Sequence, residues 1–413
     1  MTKRKKTIVV LFAVFLVCCF SMTSLSFGQE MPKPGQVIDK SNYKQYAHLF
    51  PQEILQGFED GLGGFYKPFV FKVVETKPYT EPKSYLALSE KNRGKYTIDK
   101  DGFIAGGYDY VGLPFPGLTK EDKDFAVKFM YNYLYRYYHD DFEGSAFDIE
   151  KRKGESVTSV EFDTTIFCFI NRINESPKPT YKNPADLQWA QTFYYTYPSS
   201  WKKMQMLSYR YMDSKKSDEI YIYLPTMRRV VRGDASQRST PIQGTTNAFD
   251  DFNGGFDGKV QEFNFKLLGE KKMLGTTESP WTIALSRQSM AEGGGLLPFS
   301  SDNWEIRDVY IIEITAKDPK YPQSKKVIYV DKDNYTIHYG AAWDRAGKLW
   351  KIWIGNWRTI TYPNGDKFQT NAGQLGIDVQ VGYATWFSIE GKYQRTGLKY
   401  TDFLPSIMQK RGQ

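Results

Sequence analysis

The sequence predicts an α+β chain that is mostly antiparallel β: one large sheet, curved or partly closed, with a few helices. Three observations carry this. From Ser156 onward, apolar residues recur with a period of two, as in Phe162, Thr164, Ile166, Cys168 and Ile170. About ten strand-like runs follow one another with turn-forming residues between them. Helical spacing is confined to a few segments, most of them before residue 140.

The chain opens with a cationic cluster, Lys3, Arg4, Lys5 and Lys6, followed by an apolar run from Thr7 to Phe20. That run has signal-peptide length and is short for a membrane span. Ser26 and Gly28 supply small residues for cleavage before Gln29, so residues 1–28 are expected to be an export signal and the mature protein exported. Residues 29–118 form a helical and irregular extension. Pro51 suits the first turn of a helix over 52–60, and Gly61, Gly63 and Gly64 end it. Thr119 to Asp122 resembles a capping box, and Phe125, Phe129, Tyr133 and Tyr137 follow at helical spacing, predicting a helix over 119–138. Residues 119–413 are expected to form the sheet domain. Asn183 caps a predicted helix over 184–194. Strands are expected over 204–212, 219–224, 261–268, 281–286, 308–315, 326–330, 335–339, 348–354, 357–362 and about 376–389. The stretches 331–334 and 344–347 are turns between them.

Composition excludes more than it identifies. At 41% hydrophobic and 16% aromatic the chain is too apolar for disorder. Its net charge is +8, and the four cations near the start supply half of it, so the remainder leaves no nucleic-acid footprint. Cys18 and Cys19 leave with the signal, and lipidation there is disfavoured because Val17 and Cys18 precede them. Cys168 then stands alone in an apolar run and reads as an inert thiol. His48, His139 and His338 lack ligand spacing, so no metal or cofactor is expected, and His338 is expected to be a half-exposed strand residue. The stretch from Asp331 lacks a calcium loop's glycine and glutamate, and Gly293 to Gly295 lacks phosphate-loop spacing.

The aromatic excess is the informative signal: 30 Tyr, 28 Phe and 9 Trp. Either these rings fill a thick core or they line a cavity inside a curved sheet that holds an apolar ligand. The cavity candidates are Phe162, Ile166, Leu207, Tyr209, Tyr211, Phe263, Phe265, Tyr310, Ile312, Trp350 and Ile352. Phe125, Phe129 and Tyr133 form the aromatic face of a possible helical lid. Arg228, Arg229 and Arg232 follow a strand end and match Asp250 and Asp251 as bidentate partners, giving a loop clamp or a head-group contact.

Residues 219–258 contain LPTMRRVVR and then NAFDDF. This block resembles the LP-x-x-RRV-x-R … DDF pattern of a Gram-negative periplasmic family catalogued as domain of unknown function 1329, akin to the lipoprotein-sorting proteins LolA and LolB. YDYVGLPFPG (108–117) with Tyr131-Asn132, FNFKLLGEKKM (263–273) and VIYVDKDNYTIHYGAAWDRAGKLWKIW (327–353) resemble further blocks of the family. Tyr335 departs from its usual Trp, and Val231 splits the arginine run. The resemblance implies an unclosed, LolA/LolB-like β-barrel wrapped over helices around an apolar cavity, and no catalytic residues. It further implies a periplasmic carrier or chaperone for a lipid or other hydrophobic molecule. Such a carrier would work with an inner-membrane exporter of the resistance-nodulation-division type and an outer-membrane protein. Two other readings stay open at this level: a secreted enzyme on envelope polysaccharide using a carboxylate pair, and a ligand-free structural subunit of an envelope transport complex.

Overall fold

The computed structural model describes residues 30–107, 111–155, 157–233, 238–242, 244–292, 302–394 and 397–412. The expected signal with its two cysteines, the start of the YDYVGLPFPG block and the three glycines at 293–295 lie outside the described residues. Strands in chain order are β1 (Val37–Ile38), β2 (Phe71–Val73), β3 (Thr97–Ile98), β4 (Ile104–Ala105), β5 (Asp141–Arg152), β6 (Thr158–Cys168), β7 (Leu187–Tyr197), β8 (Gln205–Tyr211) and β9 (Glu219–Leu224). Then follow β10 (Arg229–Arg232), β11 (Phe263–Gly275), β12 (Asn303–Ala316), β13 (Gln323–Asp331), β14 (Ile337–Asp344), β15 (Leu349–Thr361), β16 (Lys367–Asp378) and β17 (Tyr383–Lys392). The helices are α1 (Gln56–Gly64), α2 (Lys83–Glu90), α3 (Phe125–Tyr135), α4 (Phe252–Gly255), α5 (Ile283–Ala291) and α6 (Pro405–Gly412).

Fifteen strands make one sheet in the order β1-β2-β12-β13-β14-β15-β16-β17-β5-β6-β7-β8-β9-β10, with β11 also paired to β12. Its pairs are antiparallel except β2 with β12. β3 and β4 form a separate hairpin. The sheet does not close on itself, yet it is strongly curved. Eight strand steps separate β13 from β8, roughly 38 Å on a flat sheet. Lys326 on β13 nevertheless donates to the Gly255 carbonyl at 2.7 Å, and Arg210 on β8 donates to the Asp257 carbonyl at 3.0 Å. Two residues of chain span about 7 Å. Even with the reach of both side chains added, the sheet must wrap around this segment. We call the wrapped side the inner face.

On the outer face, residues 31–73 bury Ile38, Leu49, Phe50, Phe58 and Phe71 against Ile149, Ile352, Ile354, Leu375 and Trp386. Further along, the C-terminal segment sets Phe403 and Met408 over Leu207, Tyr209, Tyr211 and Tyr223. The Tyr209 hydroxyl donates to the Phe403 carbonyl. Each wholly buried ring contributes roughly 1.5–3 kcal/mol of hydrophobic stabilisation. On the inner face, α3 packs on Ile312, Ile314, Ile328 and Val330. Beside it, Phe249 and Phe252 of the segment 244–262 pack with Phe162, Phe193 and Phe387.

Several sequence expectations change. Residues 187–197 form strand β7, not a helix. Leu187 and Ala190 turn to one face while Gln191, Phe193 and Tyr195 line the other, and the Asn183 carboxamide closes a turn on the Ala185 and Leu187 amides. Residues 283–291 form α5 rather than a strand, because the Thr282 hydroxyl caps the Leu285 amide. The helix expected over 119–138 is shorter, Phe125–Tyr135. The two strands expected over 348–362 are one, β15, with a register shift at Asn356 and Trp357. β5 and β10 were not anticipated. His338 is fully buried rather than half-exposed, with Nε2 3.2 Å from an Asp331 carboxylate that Arg307 also grips at 2.7 Å.

The inner segment depends on close backbone approach. Gly254 has φ +87°, and a Cβ there would lie 2.2 Å from the Ile337 carbonyl oxygen. Gly254→Ala is therefore expected to cost well over 1 kcal/mol, since both conformation and space are wrong. Urea unfolding checks this; a midpoint equal to wild type would contradict the packing.

Candidate functional site

Four cavities follow one another across the inner face, the first beside β8 and β9 and the other three along β6 and β7. The outermost is an open groove of about 220 Å³ lined by Met204, Met206, Ile222, Leu224, Ile242 and Phe249. Next comes a constriction of about 10 Å³ among Phe162, Phe193, Phe249, Phe252, Phe387 and Asp148. A third space of about 90 Å³ shares those phenylalanines and adds Thr164, Ile166 and Trp189. The last in the row, about 130 Å³, shares Ile166, Trp189 and Asn253 with the third and adds Arg136, His139 and Cys168. The β6 residues on this line, Val160 to Cys168, span roughly 26 Å. Polarity changes along the row, from Met, Ile and Leu at one end to Arg, His, Asn and Gln at the other.

The wall opposite β6 and β7 is the segment 249–257, and ion pairs hold it there. Asp251 accepts from Lys326 at 2.8 Å and Lys351 at 3.0 Å. Asp250 accepts from Arg238 at 2.9 Å, and Asp257 lies 3.4 Å from Arg238 and 3.7 Å from Arg210. Asp218 lies 3.0 Å from Arg210 and 3.1 Å from Arg238. Four carboxylates meet four cations, so this network is neutral as a whole. Burial alone would raise the Asp218 and Asp251 carboxyls. Arg210 and Arg238 overcome this at Asp218, and Lys326 and Lys351 at Asp251, holding both below the usual carboxylate range.

Burial disfavours the charged forms of other titratable groups on this side. Asp148 and Glu150, adjacent on the inner face of β5, are raised well above the carboxylate range, Asp148 by burial and Glu150 by burial and then the neighbouring Asp148. One oxygen of each finds no hydrogen-bond partner. Burial, aided by Arg172, lowers His139 to about 3. Burial pushes the Cys168 thiol up, which agrees with an unreactive sulfur; its Sγ is 4.0 Å from His139 Nδ1. A wider surface groove of about 850 Å³ also carries carboxylates. There Glu161 grips Arg287 at 3.0 and 2.8 Å, Asp163 accepts from Ser145, and Glu390 accepts from the Ile283 amide. These bonds fasten α5 and the strands. Asp148 and Glu150 are buried side by side on one strand and do not face each other across an open cleft.

Of the sequence-derived cavity residues, Phe162 and Ile166 line the row. Leu207, Tyr209, Tyr211 and Ile352 belong to the outer-face cores. Phe263, Phe265, Tyr310 and Ile312 are on the inner face but packed beneath α3, where Phe125 and Phe129 meet Tyr310 edge-on at 5.1 and 5.0 Å. Tyr133 donates to the Phe256 carbonyl. Trp350 is partly buried and donates to Asp378 at 2.7 Å. From this helix region it is Leu134 and Arg136 that reach the row. The expected clamp does not form. Arg228 and Arg229 are exposed, and Arg232 pairs with Glu219 at 2.8 Å across the β9–β10 hairpin. Asp250 and Asp251 choose Arg238, Lys326 and Lys351 instead. The reason is direction: β10 is an edge strand that carries its arginines to solvent, away from the wrapped segment. Residues missed by sequence reasoning are Trp189 and Phe193, hidden in a segment taken for a helix, and Met206, Phe249, Phe252, Phe387 and Arg136. The period-two spacing of Met206 with Ser208 and Arg210 was a usable signal for the first of these.

Among the described residues no helix is long and apolar enough to cross a membrane, and no group of His, Cys, Asp and Glu is arranged to hold a metal ion. No curated protein matches the sequence. The fold is similar to a putative outer membrane lipoprotein-sorting protein domain from Vibrio parahaemolyticus, at 17% identity and TM-score 0.46, covering 65% of this chain and 91% of that one. It is similar to a DUF1329 family protein from Desulfovibrio piger at 18% identity and TM-score 0.46, covering 65% and 92%. A LolA superfamily protein from Nitrosomonas europaea aligns at 12% identity and TM-score 0.41, covering 65% and 92%. The family model described as "Protein of unknown function (DUF1329)" matches residues 37–408, nearly all of the described chain, and the protein belongs to that family.

Proposed function

We propose that this chain binds an elongated hydrophobic molecule along the inner face of its sheet and carries it through the periplasm. The carrying observation is the row of cavities that share lining residues and grade from apolar to polar. A row of this form suits a long amphipath better than a compact substrate. Each methylene buried in it contributes roughly 0.8 kcal/mol. Taken singly, the cavities are smaller than the ~300–1,000 Å³ of ordinary ligand pockets. Loading therefore requires the rings of Phe162, Phe193, Phe249, Phe252 and Phe387 to part, and the same rings close the path when cargo leaves. Export is supported by the cationic and apolar run at residues 3–20. A carrier of this kind would receive cargo from an inner-membrane exporter of the resistance-nodulation-division type and deliver it to an outer-membrane protein.

The direct test is to purify the full chain from its native compartment, extract with organic solvent and analyse the extract by mass spectrometry. A single lipid class at near-equimolar amount is the expected result. A protein that is empty, and that takes up none of a panel of lipid classes in vitro, would end the carrier reading.

A further inference from the structure

Five arginines are buried among the described residues: Arg136, Arg172, Arg210, Arg238 and Arg307. Four of them hold carboxylates. Arg172 grips Asp141 at 2.7 Å, Arg210 and Arg238 share Asp218 and Asp257, and Arg307 grips Asp331 at 2.7 Å. Arg136 differs. It is 8% exposed, and among the described residues no carboxylate lies within the 4.0 Å that defines an ion pair. Its Nη1 donates to the Tyr133 carbonyl at 2.7 Å, at the end of α3, and its Nε finds no partner. Its guanidinium rests on the faces of Tyr133, Tyr138 and Trp357 at 4.5, 5.4 and 5.6 Å. These rings and the helix end fix its position without neutralising it. Glu81 is an acidic group whose field reaches Arg136, yet the two form no ion pair within 4.0 Å, and burial raises its carboxyl, to about 8, which favours the uncharged form. Asp257 also lines this space, but Arg210 and Arg238 already hold it.

A buried arginine without a counter-ion is costly unless something supplies one. Arg136 lines the 130 Å³ cavity at the polar end of the row, with the carboxamides of Asn171, Gln188, Gln191 and Asn253 around it. We infer that this cavity is an anion site, in which Arg136 takes the carboxylate or phosphate head of an amphipath whose tail lies along the phenylalanine-lined spaces toward the methionine groove. This inference rests on the carrier reading and adds to it the chemical class of the cargo: a single-chain acidic lipid rather than a neutral one.

The test compares cis-parinaric acid with its methyl ester, by fluorescence titration of the full chain and of Arg136→Met and Arg136→Lys. Wild type is expected to favour the acid over the ester by about 10-fold to 100-fold, the range of a charge-assisted hydrogen bond. Arg136→Met is expected to bind both with the ester's affinity, and Arg136→Lys to keep part of the preference. Thermal melting serves as the structural control. Arg136→Met should melt close to wild type, while Arg172→Met, which orphans Asp141, should fall well below. Equal binding of acid and ester by wild type overturns the anion site, as does an equal loss of both in Arg136→Met. If neither lipid binds wild type, but inorganic phosphate or acetate raises the melting temperature of wild type and not of Arg136→Met, the anion site stands and the carrier reading falls. If no probe binds, both fall.

Discussion

Asp251→Ala is expected to destabilise the protein by about 3–5 kcal/mol, the range found when one partner of a buried ion pair is removed. This carboxylate is fully buried between Lys326 and Lys351 and also accepts from the Ala248 amide at 3.1 Å. Removing it leaves two buried ammonium groups without a carboxylate: Lys326 keeps the Asp250 and Gly255 carbonyls and the Trp353 ring face, Lys351 the Thr246 carbonyl and the Trp350 ring face. Those carbonyls were placed to complete the shells of paired lysines, not to replace a charge. The loss should exceed that of the exposed pair Lys272–Asp308, which is half open to solvent on both sides and is worth at most about 1 kcal/mol. Urea unfolding of Asp251→Ala beside Asp308→Ala checks the contrast. Equal midpoints would mean that the wrapped segment is not held by charge.

The second large effect concerns pH. Glu81 and Asp302 are raised by burial to about 8 and about 7, and Asp148 and Glu150 are raised well above their ordinary values. For each, the folded protein binds its proton more tightly than the unfolded chain does. Stability from Glu81 and Asp302 is therefore complete below about pH 4 and is lost as pH climbs from there to about 7 and 8, and Asp148 and Glu150 act in the same direction. Asp331 works in the opposite sense. Burial would raise it, but His338 and Arg307 bring it to about 2, so its contribution is present above pH 4 and lost as pH falls toward 2. The two sets together place the stability maximum near pH 4. Thermal melting from pH 3 to pH 9 is expected to show a fall that begins above about pH 4 and levels off above about pH 8. Glu81→Gln, which keeps the shape but cannot ionise, should blunt that fall. A melting temperature that keeps rising to pH 9 would show that these buried carboxyls are ionised in the folded chain.

Much of the architecture was legible in the sequence. Alternation such as that of Tyr310, Ile312 and Ile314 is a direct consequence of strand geometry, and Asp344 to Gly347 does turn the chain between β14 and β15. Segments 187–197 and 283–291 differ from their expected states because short apolar stretches fit either period, and local side-chain bonds from Asn183 and Thr282 accompany the state adopted. The site was less legible, for a different reason. Alternation shows that Leu207, Tyr209 and Tyr211 share a face, but not that this face lies beneath the C-terminal segment while Met206, Ser208 and Arg210 look inward. Arg136 was invisible for a related reason. What distinguishes it is the carboxylate it does not have, and the pairing of Arg172, Arg210, Arg238 and Arg307 is settled by tertiary contacts between residues far apart in the chain.

The way residues 250–257 tether β13 to β8 has a consequence for how such a molecule could be retuned. The girth of the interior is set by the length of a short strap, not by the bulk of its walls. Each residue inserted between Asp251 and Asp257 would allow the two flanks of the sheet to spread by up to about 3.5 Å. Every side chain on β6 and β7 could then stay as it is while the hollow grew to admit a wider guest.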